Sequence, residues 1–223
     1  MSKSMETSPT AATIAGERVP DARALRADAL AQARRGLILD AARTAFFELG
    51  LEGASMREIA RRAGYTPGAI YSYFASKEEV YAALLGESLL RLNAHVAAAP
   101  DDGNAADRVR SKAGAFFDFY SDNPRDLDLG FYLFQGVRPL GLTRDLDAQL
   151  NAQLRAALQP AADALAEFGL DAASAEVEIT ALFAQMVGLL LLIHTGRIRI
   201  FRQQAPQLLR RYLDQLTERL QRR

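Results

Sequence analysis

Apolar residues recur at three- and four-residue spacing along most of the chain, with no strand-like alternation of apolar and polar positions. Between residues 36 and 49, Ile38, Ala41, Ala42, Ala45, Phe46 and Leu49 form one stripe, which predicts a helix that Gly50 stops. Ser55 precedes Glu58 by three. In that arrangement the serine side chain takes the third backbone N–H and the carboxylate reaches back, so a second helix is expected from Met56. Gly64 ends it after two turns. Thr66 suits an N-cap and Pro67 the first helical position, so they open a third helix. Ser76 and Glu79 repeat the capping box and open a long fourth helix reaching about residue 98.

Residues 100–104, Pro-Asp-Asp-Gly-Asn, break the pattern. Five further amphipathic segments are expected near 105–121, 124–137, 145–168, 172–200 and 203–221. The fold class is therefore all-α, about nine helices. A small three-helix unit at residues 33–80 is joined by a long helix to a larger bundle within 81–223. Residues 1–32 form a flexible or partly helical arm, and the stretch from Asp21 onward could extend the first helix backward.

Composition narrows the function classes. The chain has no cysteine, which excludes disulfides, zinc fingers and thiol catalysis and fits a reducing, cytoplasmic location. The first residues lack the apolar run of a signal peptide. The longest apolar stretch, 181–193, is interrupted by Gln185 and is too short to span a bilayer, so no membrane partner is expected. Formal net charge is zero, but the distribution is uneven. From 33 to 77, Arg34, Arg35, Arg43, Arg57, Arg61, Arg62 and Lys77 outnumber Asp40, Glu48, Glu52 and Glu58 by three.

The second and third helices carry the pattern of a helix-turn-helix. Ala60 is small where the helices cross, Gly64 tolerates the positive φ of the turn, and Ile70 and Phe74 return to the core with Ile59 and Ala63. Thr66, Pro67, Gly68, Ala69, Tyr71, Ser72 and Tyr73 are left on the free face. Two exposed tyrosines on a helix of small residues suit phosphate oxygens, and Lys77 adds charge. Arg57, in the first turn of the preceding helix, is placed for a phosphate or a base.

The stretch Ala-Ala-Arg-Thr-Ala-Phe-Phe-Glu-Leu-Gly-Leu-Glu-Gly-Ala-Ser-Met-Arg-Glu-Ile-Ala, the turn Ala-Arg-Arg-Ala-Gly-Tyr-Thr-Pro-Gly-Ala-Ile-Tyr-Ser-Tyr-Phe and the following Ser-Lys-Glu-Glu-Val closely resemble the N-terminal domain of the TetR family of bacterial transcriptional regulators. The resemblance covers about fifty residues without a gap. It implies that 33–80 is a helix-turn-helix DNA-binding domain and 81–223 a ligand-binding and dimerisation bundle. It further implies a homodimer on a pseudo-palindromic double-stranded operator, released by a small molecule. The family's DNA contacts fall on Arg57, Thr66, Pro67, Gly68, Ala69, Tyr71, Ser72, Tyr73 and Lys77. Tyr71, Tyr73 and Lys77 then hold the backbone, and Arg57, Pro67, Gly68, Ala69 and Ser72 discriminate bases. Arg34 and Arg35 reach phosphate or minor groove, or form a solvated basic end.

In the bundle, the candidate pocket residues for a lipophilic or aromatic effector are Phe116, Phe119, Tyr120, Phe131, Phe134, Gln135, Phe183 and Met186. The same aromatics equally suit a packed core. Gln135, Gln185 and His194 sit among apolar neighbours and need partners. The segment from 176 to 196 is apolar on nearly all sides, and Leu208, Leu209, Tyr212, Leu213, Leu216 and Leu220 form one stripe. Leu189, Leu192, Leu209, Tyr212, Leu213 and Leu216 are accordingly the candidate dimer interface. No cofactor, metal or catalytic residue is expected, because no phosphate loop, His-Glu-x-x-His site or nucleophile elbow is present. The alternatives are a DNA-binding dimer without an effector and, remotely, an enzyme.

Overall fold

In the computed structural model, residues 22–131 and 142–222 are described, all of them in helices, turns and connections, with no strand among them. The chain divides into two units, residues 1–37 and 38–223. Nine α-helices are described: α1 (Ala22–Gly53), α2 (Met56–Ala63), α3 (Pro67–Tyr71), α4 (Lys77–Ala98), α5 (Ala105–Asp122), α6 (Pro124–Gly130), α7 (Arg144–Ala166), α8 (Ala172–His194) and α9 (Ala205–Gln221). A short 3-10 helix, Arg197–Phe201, lies between α8 and α9.

The expected helix starts are present, with different capping chemistry. Ser55 Oγ accepts from the Glu58 amide at 3.2 Å. The Glu58 carboxylate does not reach back, because Arg61 and Arg62 hold it through charge-assisted bonds, the stronger kind. Ser76 caps α4 in the same way, while Glu79 accepts from the Ala75 amide at 2.8 Å. A reciprocal capping box forms instead at Asn104 and Asp107, opening α5.

Several boundaries differ from expectation. Gly50 (φ 71) breaks α1 before its last turn, as the stripe implied. The segment expected over 124–137 is helical only to Gly130, and residues 132–141 lie outside the described residues. The segment expected to 200 ends at His194, because Gly196 turns left-handed (φ 68) and the chain tightens into the 3-10 turn.

One continuous core joins the helices of the second unit. Ile38, Ala42 and Phe46 of α1, Ile59 and Ala60 of α2, Ile70 of α3, and Tyr81 and Leu84 of α4 are all essentially buried. The core continues through Phe116, Phe117 and Tyr120 of α5, Leu165 of α7, Leu182 and Met186 of α8, and Leu216 of α9. Polar anchors close the helix ends. Lys112 of α5, almost fully buried, donates to the Ala99 carbonyl at 2.8 Å and the Val96 carbonyl at 3.4 Å. Its ammonium thereby adds donors to carbonyls at the end of α4, where the helix runs out of its own.

At 23 residues, α8 is long and apolar enough, by length and composition alone, to cross a membrane. It nevertheless carries Glu178, which is buried and held bidentately by Arg219 of α9 at 2.8 and 2.7 Å, the mark of a bundle helix packed on its neighbours.

Candidate nucleic-acid interface

The reading head is built by α2, the turn at Gly64, and α3. Gly64 has φ 73 and ψ 25, and its N–H bonds the ends of α2. The Tyr65 amide donates to Ala60 O at 2.9 Å, which pulls the turn against the helix it leaves. Ala60 is wholly buried, so nothing larger fits where the chain recrosses. Thr66 Oγ1 accepts from the Ala69 amide at 3.3 Å, and Pro67 fills the position that needs no N–H. Ile70 and Phe74 anchor the other side in the core.

Outward, Thr66, Pro67, Gly68, Tyr71 and Ser72 are exposed and Ala69 is half-buried. Tyr71 keeps 55% of its surface, a large aromatic held out from a rigid support. A Cβ built on Gly68 meets nothing within 4 Å, so this position faces open space.

Three side chains differ from the expected free face. α3 is five residues long, so Ser72 and Tyr73 occupy the turn beyond it. Ser72 Oγ donates to Ala69 O at 2.7 Å, leaving its lone pairs as the outward function. Tyr73 is half-buried against the core. Lys77 Nζ donates to the Leu51 carbonyl at 2.8 Å, tying the start of α4 to the end of α1.

Three of the local arginines are paired with carboxylates. Arg43 pairs with Asp40 at 2.8 Å. Arg61 and Arg62 both hold Glu58, and Arg62 also reaches Glu48 of α1 at 2.6 Å. Hydrogen bonds from Arg61 and then Arg62 keep the Glu58 carboxyl well below the usual range, at about 2. The Glu48–Arg62 link spans two helices and was not legible in the pattern. Arg57 is exposed, and its guanidinium has no hydrogen bond or ion pair with any described residue. It sits in the first turn of α2, where the helix dipole disfavours a cation by about 0.3–1 kcal/mol.

Of the two arrangements open to the aromatic cluster, packing is seen among the described residues. Phe116, Phe119, Tyr120 and Met186 are buried, Phe131 and Phe183 half-buried, while Phe134 and Gln135 lie outside the described residues. The rings pack on one another edge to face: Phe116–Tyr120 at 5.3 Å, Phe119–Tyr120 at 5.3 Å, Tyr120–Phe131 at 5.6 Å and Phe116–Phe183 at 5.9 Å. Such geometry is favourable by about 0.5–1.5 kcal/mol a pair, so these aromatics close into core. Among the described residues a small space of about 50 Å³ lies beside Tyr120 and Phe131. A larger groove of about 440 Å³ runs between α7 and α8, with Phe183 at its wall. His194 Nε2 lies 2.8 Å from Asp128 Oδ1, so its partner is a carboxylate of α6. Burial raises the Asp128 carboxyl, and His194 opposes that shift.

The candidate interface leucines also turn inward. Leu189, Leu209, Leu213 and Leu216 are buried in the protomer's own core, and Leu192 and Tyr212 are half-buried. A helical stripe has one centre, and here the protomer itself covers it. The outward face of α8 instead presents Val177, Ala181, Ala184 and Gly188.

Residues 38–84 match the family described as bacterial regulatory proteins, tetR family. Over these residues the chain is similar to the DNA-binding domain of the TetR family. The chain is 36% identical over 99 residues to the HTH-type transcriptional activator FasR of Mycolicibacterium smegmatis, covering 44% of this chain and 45% of FasR. It is 41% identical over 59 residues to the HTH-type transcriptional repressor AcnR of Corynebacterium diphtheriae, covering 26% of this chain and 31% of AcnR. The chain thus spans less than half the length of these TetR-family relatives. The all-helical fold also matches the transcriptional regulator FadR from Bacillus subtilis, solved in complex with stearoyl-CoA. There the TM-score is 0.57 at 20% identity, over 80% of this chain and 95% of FadR.

Proposed function

We propose that this chain is a cytoplasmic transcriptional repressor of the TetR family that binds a pseudo-palindromic operator as a homodimer and is released by a small lipophilic molecule. The observation that carries the DNA-binding half is the outward face of α3. It is capped by Thr66, anchored by Ile70 and Phe74, and presents only Thr66, Pro67, Gly68, Ala69, Tyr71 and Ser72. Apart from Tyr71, these side chains are small and admit close approach to base edges, where methyl and hydroxyl contacts discriminate. Arg57 and Tyr71 supply phosphate contacts from either side. Lys77 contributes its charge from a position already bonded to Leu51.

Dimerisation is supported by the outward apolar and small positions of α8, with Val177 66% exposed. Response to a small molecule is supported by the α7–α8 groove and by the acyl-CoA ligand of the FadR neighbour. The sign of regulation follows AcnR, whereas FasR acts as an activator. Selection of bound duplexes from a random pool tests the reading. Recovery of one palindrome, retained at salt concentrations that release random DNA, supports it. Equal retention of all sequences overturns it.

A further inference from the structure

The groove between α7 and α8 has an apolar floor and a polar rim. Leu154 and Leu158 of α7 and Ile179 and Phe183 of α8 form the floor. On the rim Arg155 holds Glu176 bidentately, at 2.9 and 2.6 Å. Both partners are well exposed, 66% and 51% by side chain. An ion pair at such exposure contributes about 0–1 kcal/mol, so a competing anion displaces Glu176 at little cost and leaves it solvated. The guanidinium then offers its two-pronged edge to a new carboxylate. Along α7 in one direction, Asp163 lies about 12 Å away, two helical turns, and repels anions there. In the other direction the floor continues through Leu154 to Phe183. Asn151 and Leu154 wall both the groove and the small space beside Tyr120 and Phe131.

We propose that this groove binds an amphiphile with a carboxylate head and an unbranched apolar tail. The head takes Arg155 from Glu176, and the tail lies toward Leu154 and Phe183. The volume of about 440 Å³ falls within the range of small-molecule sites. The assignment deepens the effector reading above and depends on it only for the consequence at the operator, so binding and operator release are measured separately.

Calorimetric titration of the full chain compares decanoate with decanol, each below its aggregation threshold. Decanoate binds up to about fivefold more tightly, the increment of an ion pair at this exposure. Arg155→Gln erases that difference while leaving decanol binding in place. Glu176→Gln removes the competitor and tightens decanoate a few-fold. Ala175→Phe, checked for an unchanged melting temperature, fills the groove and abolishes both. Equal affinity for the two probes overturns the proposal, as does a preference that survives Arg155→Gln or a wild-type protein that binds neither. Decanoate binding that leaves operator affinity unchanged upholds the groove and overturns the effector reading.

Discussion

The buried hydroxyl of Tyr81 in α4 donates to the backbone carbonyl of Leu129 in the last turn of α6. The bond ties α4 to the end of α6, which closes at Gly130. On its other side the Tyr81 ring meets Phe46 of α1 edge to face, at 6.2 Å. One side chain therefore touches the support of the reading head and the short helix that leads toward the aromatic cluster. Tyr81→Phe keeps the ring and removes this buried hydrogen bond, which costs about 0.5–1.5 kcal/mol. In a chain of this size that lowers the melting temperature by about 1–6 °C. Thermal unfolding of the full chain checks it, and an unchanged midpoint means that the bond does not hold α6.

Two glycines of the reading head answer differently to the same substitution. Gly64 is left-handed, so Gly64→Ala costs about 1–2 kcal/mol and misplaces α3. Gly68 is open on every side, and Gly68→Ala adds helix propensity worth up to about 1 kcal/mol. The second variant unfolds no earlier than wild type, yet binds the operator less well or prefers a different one. Melting curves paired with anisotropy titrations on labelled duplexes separate the two effects. An unaltered affinity and preference in Gly68→Ala places this position away from DNA.

Arg57 has no described partner to lose, so Arg57→Ala shifts stability by no more than about 0.5 kcal/mol. Its effect is expected at the operator. If it contacts phosphate, binding weakens for all sequences alike and the salt slope falls by about one. If it contacts a base, the preference relaxes at one position, at about 1–3 kcal/mol. Titrations over a salt series on matched and mismatched duplexes distinguish these outcomes, and no loss on any duplex removes Arg57 from the interface.

Glu58 ties stability to pH. Its folded carboxyl sits at about 2, below its ordinary 4.5, through hydrogen bonds from Arg61 and Arg62. A carboxyl depressed on folding stabilises the protein fully above its unfolded value, and that contribution is lost as pH falls from about 4.5 toward 2. Wild type is thus expected to melt above Glu58→Gln at neutral pH, with the two curves converging through that window. A gap between them that stays constant down to pH 2 contradicts the assignment.

The helix starts were legible in the chain because capping is local. Ser55, Thr66, Ser76 and Gly64 act within three or four residues of themselves, and periodic apolar positions need only one helix to be read. The exposed face of α3 followed from the same periodicity. What a side chain does across helices was decided by packing. Nothing near Lys77 in the chain announced that it bonds Leu51, 26 residues away, nor that Arg62 reaches Glu48. The stripe on α9 was visible, but whether its own bundle or a second copy covers it depends on which neighbours arrive, and the protomer's core takes Leu209, Leu213 and Leu216. Likewise, aromatics at helical spacing are identical in sequence whether they line a cavity or fill one. The rings around Tyr120 pack on one another, and a groove opens between α7 and α8, where no single helix carries its signature.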